Sequence, residues 1–358
     1  IDIATTATPE QVIELAAQAG LRSHPTGLQH GTVTVVSGAS AYEVTTLRVD
    51  VDTDGRHATV EFTDQWEADA QRRDFTINAL FCDRTGKIHD YVDGLKDLEH
   101  RRIRFVGDAE TRIREDYLRI LRFFRFQARF GDGAPQDEAL EACIAAKQKL
   151  ASLSRERVRQ ELLKLLVAPM AVSVLHVMER HGFLELILPA GRALRRFERL
   201  ARLEGCSDLQ IDPVRRLAAL SQPASGRALQ EALKLSNEAA DRLDAIAALP
   251  PVTPRFRDAE RQTLLYWHGS QAVIDRAMLA WAESDDAEDD DKWHALVAAA
   301  QTWSKPVFPV RGKDLLEAGL KEGQELGQCL QALEDWWVAG GFSADKAALM
   351  SRLAAIRR

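Results

Sequence analysis

Arg112-Ile-Arg-Glu-Asp-Tyr-Leu-Arg-Ile-Leu-Arg-Phe-Phe-Arg-Phe126 is the stretch on which the reading of this chain turns. Taken at helical period, Ile113, Leu118, Leu121, Phe124 and Phe126 face a core, while Asp116, Arg119, Arg122 and Arg125 recur every third residue. Positions three apart are neighbours on a helix surface, so the pattern predicts one helix carrying a carboxylate and three guanidiniums in a drifting stripe. Two readings of that stripe stand side by side. One is the solvated face of an amphipathic helix. The other starts from base chemistry: adenine and cytosine each present an exocyclic amine beside an unprotonated ring nitrogen. A carboxylate accepts from the amine, and a guanidinium donates to the ring nitrogen or its neighbour. Guanine and uracil present the reverse polarity. On this reading Asp116 and Arg119 choose A and C, and Arg122 and Arg125 remain for phosphate or ribose.

Outward from that stretch, the arginines stay dense from Arg101 to Arg129, whereas the acids gather elsewhere, most heavily in Glu283–Asp291. The net charge of −7 argues against a non-specific nucleic-acid coat but leaves room for a local basic groove, because the distribution of charge decides electrostatic binding. At 358 residues the chain exceeds what one core usually holds, so two or more domains are expected. No apolar run approaches the roughly 20 residues of a membrane span, and the first residues do not read as a secretion signal. Cys82, Cys143, Cys206 and Cys329 are scattered without metal-ligand spacing, so a cytoplasmic protein with free thiols is expected. The acidic run itself reads as a solvated loop between helices.

The chain opens in what reads as the end of a strand, Ile1–Ala4. Thr8-Pro-Glu-Gln11 then starts a helix, with Thr8 as N-cap, Pro9 at the first position and Gln11 closing a capping box; the helix stops at Gly20. Gly31–Val36 and Tyr42–Leu47 read as hairpin partners about a turn at Ser37–Ser40. Val49–Asp69 is polar and weakly periodic apart from Ala58–Phe62, and predicts a long mobile loop. Phe75–Phe81 is expected to be helical, and Ile88–Asp97 is turn-rich. From about Asp108 the pattern is helical, punctuated by prolines. Helices are expected at Asp137–Leu150, Arg155–Val167, Ala171–His181, Ala193–Leu203, Pro213–Leu220, Gly226–Leu233, Asn237–Ala248 and Asp258–Trp267. Gly312, Gly319, Gly323 and Gly327 precede an apolar helix from Gln328 to Val338. Helix starts at such turns suit phosphate, and simple helix–turn–helix packing accounts for them equally well.

Two further places carry chemistry. Asp2 stands on the apolar strand end; facing Glu43 across a sheet it would offer hard oxygen ligands suited to magnesium, although a lone strand acid is more often structural. Arg72-Arg-Asp-Phe-Thr-Ile-Asn-Ala-Leu80 packs two arginines, Asp74 and Asn78 around apolar anchors. Arg73 and its neighbour suit phosphate oxygens, Asp74 can orient them, and Asn78 can hold ribose or backbone.

In this order, the motifs resemble the class II tRNA nucleotidyltransferases, the CCA-adding enzymes, in the superfamily shared with bacterial poly(A) polymerases. Ile1–Glu10 resembles the tail of the family's Asp-x-Asp motif, and Glu43–Arg48 the strand facing it. Arg72–Leu80 resembles the ribose- and phosphate-binding motif. Asp90–Leu98 resembles the hinge between head and neck, and Glu115-Asp116-x-x-Arg119 the amino-acid template that pairs with incoming ATP or CTP. Arg155–Leu162 resembles the motif that closes the set. The first half matches densely; the rest, through Pro309–Asp314 and Trp336, matches more loosely. The family's glycine-rich phosphate motif and first aspartate are expected upstream of residue 1, since every later motif is intact.

The resemblance implies an α+β nucleotidyltransferase head with a small mixed or antiparallel sheet, followed by an all-α neck, body and tail in a seahorse shape. On this chain the divisions are residues 1–106, 107–168, 169–256 and 257–358. It implies two-metal transfer of CMP and AMP from CTP and ATP to the tRNA 3′ end at the acceptor stem, with Mg2+ as cofactor. Asp2 holds the metal, Glu43 is a less certain further carboxylate, and Arg73, Arg122 and Arg125 neutralise the triphosphate. No membrane and no protein partner is implied. The nearest rival is a bacterial poly(A) polymerase, with an enzyme adding only CC or only A a lesser one; the Val49–Asp69 segment favours CCA addition, since a loop there accompanies the family's switch from C to A. The rival from another class is a non-catalytic RNA-binding protein.

Overall fold

The β-branched run Thr32-Val-Thr-Val-Val-Ser37 sets the architecture of the first part, because its alternate residues have opposite destinies. Val33 and Val35 are buried against Val12 and Ala16 of a helix, and the Thr32 hydroxyl on the other face meets that of Thr45 at 3.1 Å. The structure is a computed structural model describing residues 2–356 apart from 55–56, 134, 136, 189–190, 223–225 and 285–288. It divides into two compact units, Ile1–Pro189 with Ala232–Lys234, and Ala190–Glu231 with Leu235–Arg358.

The first unit begins with strand β1 (Asp2–Thr5) and helix α1 (Pro9–Gln18), whose capping box at Thr8 and Gln11 is formed as expected. Strands β2 (Arg22–Gly27), β3 (Thr32–Ser37) and β4 (Ser40–Thr46) follow. The sheet order is β1-β4-β3-β2, antiparallel except for the parallel pair β1·β4, in which Asp2 lies opposite Glu43. Gly38, at φ +60°, supplies the left-handed residue that the tight β3–β4 turn needs.

Val49–Asp69, expected as a loop, is instead mostly ordered structure. Strands β5 (Arg48–Asp54) and β6 (His57–Phe62) form an antiparallel hairpin, and helix α2 (Trp66–Gln71) ends the segment; the hairpin tip, 55–56, lies outside the described residues. The alternating Val and Asp of β5 look polar in sequence, but β6 satisfies their backbone groups. Phe75–Phe81 is not a helix either. A single 3-10 turn, Thr76–Asn78, leads into β7 (Leu80–Cys82), which pairs with β8 (Ile88–Asp90). Phe75 is pulled out of helical geometry by burial against Phe105 and Phe126, with ring centroids 4.8 and 5.2 Å away.

Helix α3 (Gly94–Glu99) precedes the stretch that opened the sequence reading, and there the expectation of one helix fails. Helix α4 (Ala109–Glu115) ends before Asp116, whose backbone is extended at φ −155°, ψ 108°, and α5 (Leu118–Phe130) starts afresh. Aspartate competes for backbone donors better than it tolerates a helix interior. Here its Oδ1 accepts from the Leu118 N–H at 3.0 Å, so it starts the second helix instead of continuing the first. Ile120, Phe123 and Phe124 of α5 are fully buried. Helices α6 (Asp137–Ala146), α7 (Arg155–Leu166), α8 (Ala171–Arg180) and α9 (Phe183–Ile187) complete the unit, with α5 packed on α7 and α8.

Among the described residues, the second unit is helical apart from a two-residue ladder pairing Gly191–Arg192 with Ser221–Gln222. Its helices are α10 (Leu194–Gly205), α11 (Pro213–Leu220), α12 (Gly226–Leu233), α13 (Asn237–Ala248), α14 (Asp258–His268), α15 (Ser270–Glu283) and α16 (Asp290–Thr302). Then come α17 (Gly312–Glu317), α18 (Gln324–Ala339) and α19 (Lys346–Ile356). Within the expected acidic loop 283–291, residues 285–288 lie outside the described ones. One core centres on Trp281 and Met278 of α15; another gathers Tyr266, Leu333 and Trp337. Of the glycines expected as turns, Gly319 and Gly323 have positive φ, while Gly327 lies inside α18.

Candidate functional site

Every candidate residue but one meets at a single cavity of about 1020 Å³ in the first unit. Parallel register places Asp2 and Glu43 side by side on one face, with Ala4 and Thr45 following them along the same wall. Both carboxylates are exposed. Two adjacent hard oxygen donors suit a magnesium ion that completes its shell with water and phosphate. Among the described residues no group of three His, Cys, Asp or Glu side chains is placed to hold a metal ion.

The segment after α2 forms the second wall. Its sharp bend turns Arg72, Arg73, Asp74 and Asn78 toward the cavity while Phe75 anchors the chain in the core. Arg73 donates through Nη1 to the Asn78 carbonyl at 3.0 Å, and its guanidinium lies 4.8 Å from the centre of the Phe81 ring. Asp74 accepts from Asn78 Nδ2 at 3.0 Å and from Arg122 Nε at 2.6 Å, tying the segment to α5. Beneath lies a small core of Leu47, Ala70, Ala79, Phe81 and Val106.

Asp116, Leu118, Arg119, Arg122 and Phe126 supply the third wall, joined by Arg157 of α7. The break at Asp116 separates what the spacing had joined. Asp116 Oδ2 accepts from Arg157 Nη2 at 2.6 Å, whereas Arg119 pairs with Glu115 and donates to the Arg112 carbonyl. Asp116 and Arg119 thus face one cavity, each oriented by its own partner. Arg125 is the exception: it does not line the cavity, pairing with Glu161 of α7 and stacking 4.0 Å over Phe126.

Sequence reasoning passed over Arg157, Trp66 and Phe81 as individual residues of the wall, and Asp69 behind it. Arg157 sat inside the quoted run Arg155–Leu162, but nothing in its spacing separates it from Arg155 or Arg159. Behind the second wall, Asp69 is buried between Arg72 and Arg73. Burial opposes its charge, yet the two guanidiniums outweigh that and hold its carboxyl below the usual carboxylate range.

Against known proteins, residues 1–104 match the family model described as "Poly A polymerase head domain". Residues 135–194 match "Probable RNA and SrmB- binding site of polymerase A", and residues 217–353 match "tRNA nucleotidyltransferase domain 2". The chain is 38% identical over 365 residues to the mouse (Mus musculus) protein "CCA tRNA nucleotidyltransferase 1, mitochondrial", covering 98% of this chain and 81% of that protein. To the Homo sapiens protein of the same name it is 37% identical with the same coverage. The fold superimposes on the crystal structure of the Bacillus stearothermophilus CCA-adding enzyme in complex with CTP with a TM-score of 0.76. That alignment has 30% identity and covers 99% of this chain and 89% of that one.

Proposed function

The chain belongs to the CCA-adding tRNA nucleotidyltransferase family, and from that premise we propose that it transfers CMP and AMP from CTP and ATP to the 3′ end of tRNA, releasing pyrophosphate. One observation carries the reading. A strand-borne carboxylate pair, a set of clamped arginines and a carboxylate and a guanidinium suited to base edges all line one cavity.

The roles follow from chemistry. Asp2 and Glu43 would hold Mg2+, and the bound ion would stabilise charge on the attacking 3′-oxygen and on the leaving pyrophosphate. Arg73 and Arg122, with Arg72, present guanidinium N–H groups to the triphosphate. Asp74 and Asn78 hold the arginines and the adjoining ribose. Asp116 accepts from the exocyclic amine of C or A, and Arg119 donates to the ring nitrogen or its neighbour. Arg157, 2.6 Å away, holds the Asp116 carboxylate in place. Arg125 acts at a remove, bracing α5 against Glu161. The RNA must be held largely by shape and phosphate, since an RNA helix exposes mainly 2′-hydroxyls and backbone. The helices of the second unit are the candidates for that grip. The divisions at residues 106, 168 and 256 remain part of the proposal. For the compartment, Cys82, Cys143, Cys206 and Cys329 are all free, which suits a reducing interior, the cytoplasm included.

One site that takes both bases needs something to change its choice as the RNA end grows, and the β5–β6 hairpin beside the arginines is the candidate. Given tRNA lacking its terminal CCA, the protein is expected to add two Cs with CTP alone, and with both nucleotides to add one further A and stop. Shortening the hairpin should spare C addition and reduce A addition. The head also matches a model named for poly(A) polymerase, and a ladder of many As on unstructured RNA, with CTP scarcely used, would establish that reading instead.

A further inference from the structure

Asp69 is a charged side chain that no role described so far requires. It is 1% exposed, and it does not itself line the cavity. A carboxylate removed from water must be fully paired to remain charged, and this one is. Its Oδ1 accepts from Arg72 Nε at 2.9 Å and Nη2 at 2.7 Å, and from the Arg48 backbone N–H at 3.2 Å. Its Oδ2 accepts from Arg73 Nε at 3.1 Å and Nη2 at 2.9 Å. Each guanidinium therefore gives an edge of N–H groups to the same buried carboxylate.

Each arginine also has a backbone partner. Arg72 Nε reaches the Arg48 carbonyl at 3.0 Å, and Arg73 Nη1 reaches the Asn78 carbonyl. Arg48 is the first residue of β5, so Asp69 joins the base of the hairpin to the arginine pair. One negative charge behind two positive ones leaves an excess of positive charge at the cavity wall. Long arginine side chains lose much rotamer freedom when held, and a buried anchor incurs that cost during folding instead of at ligand binding.

We propose that Asp69 is a positioning residue for the incoming nucleotide, holding Arg72 and Arg73 in the pose that receives the triphosphate. This rests on the proposed nucleotidyl transfer. It assigns Asp69 to the part of the substrate common to CTP and ATP and not to the base. Asp69→Asn keeps the shape, loses the charge and places an amide N–H2 against one guanidinium. Losing well-oriented charge-assisted contacts should raise KM for CTP and ATP together by about tenfold, with kcat changed less and the CTP-to-UTP preference unchanged. Inhibition by inorganic pyrophosphate, which has no base, should weaken by a similar factor. Asp69→Glu keeps the charge but displaces it by one methylene, and should shift KM the same way to a smaller extent.

The experiment compares full-length protein and both variants by steady-state incorporation into tRNA lacking CCA, by pyrophosphate inhibition, and by circular dichroism for folding. A wild-type protein that adds no C to such tRNA would sink the transfer reading itself. An active wild type beside a folded Asp69→Asn variant with unchanged KM and pyrophosphate inhibition would overturn the positioning role alone. A loss confined to kcat, a change in base preference, or failure of both variants to fold would also overturn it.

Discussion

Replacing Asp116 by asparagine tests the base-reading site at its centre. The carboxylate is 25% exposed and holds two partners: the Leu118 N–H at Oδ1 and Arg157 Nη2, 2.6 Å away, at Oδ2. Asparagine can keep its oxygen on the Leu118 N–H ahead of α5, whereas alanine would lose that hydrogen bond at about 1 kcal/mol. The amide then turns an N–H2 donor toward Arg157 and toward the place of the base amine, so donor meets donor. One lost charge-assisted hydrogen bond to the base costs about 1.5–3 kcal/mol. The unpaired Arg157 guanidinium, 34% exposed, adds no more than about 1 kcal/mol because water screens it. Together these come to about 1.5–4 kcal/mol and reduce kcat/KM for CTP and ATP by about 10- to 10³-fold, at 1.36 kcal/mol per decade. Use of UTP and GTP should fall much less, because the new donor suits their carbonyls. The assay is single-nucleotide incorporation with each of the four triphosphates on tRNA lacking CCA. A CTP-to-UTP ratio unchanged from wild type would show that Asp116 does not read the base, and the solvated-face reading of the stripe would stand.

Three other outcomes are expected. Asp2→Ala should abolish incorporation at any magnesium concentration while leaving the unfolding transition in place, since the side chain is exposed; retained magnesium-dependent activity would remove Asp2 from the site. Gly94→Ala should destabilise the first unit by about 1–3 kcal/mol, because the added Cβ would stand 2.2 Å from the Thr76 carbonyl oxygen, a backbone atom with little room to yield; urea unfolding at unchanged midpoint would refute this. Burial opposes the charge of Asp90, but backbone N–H groups of Leu95, Val92 and Gly94 outweigh it and hold the carboxyl below its ordinary value of 3.8. A depressed folded value means a contribution that is complete at neutral pH and lost as pH falls through the folded value. Thermal melts between about pH 5 and 3 should therefore fall less steeply for Asp90→Asn than for wild type, and parallel curves would contradict the assignment.

The features legible in the residues are those whose physics is local. The capping box at Thr8 and Gln11 spans four residues, the β3–β4 hairpin needs alternation and a glycine, and most of the helices announce themselves by period and proline. The pairing of Asp2 with Glu43 was within reach because β-strands leave few choices of face. Other features are decided by partners far along the chain. Asp116 meets Arg157 forty-one residues later, and Asp74 meets Arg122 forty-eight residues later. Arginines look alike to any periodicity, so Arg119, Arg122 and Arg125 formed one stripe on paper. Packing of α5 on α7 gave Arg125 to Glu161 and left Arg122 at the cavity. The helix break has the same origin: Asp116 can continue a helix or start one, a difference of about a kilocalorie, and the burial of Ile120, Phe123 and Phe124 settles which. Asp69 shows the limit most plainly. It passed as one more acid in a polar loop until folding removed it from water and paired it with Arg72 and Arg73.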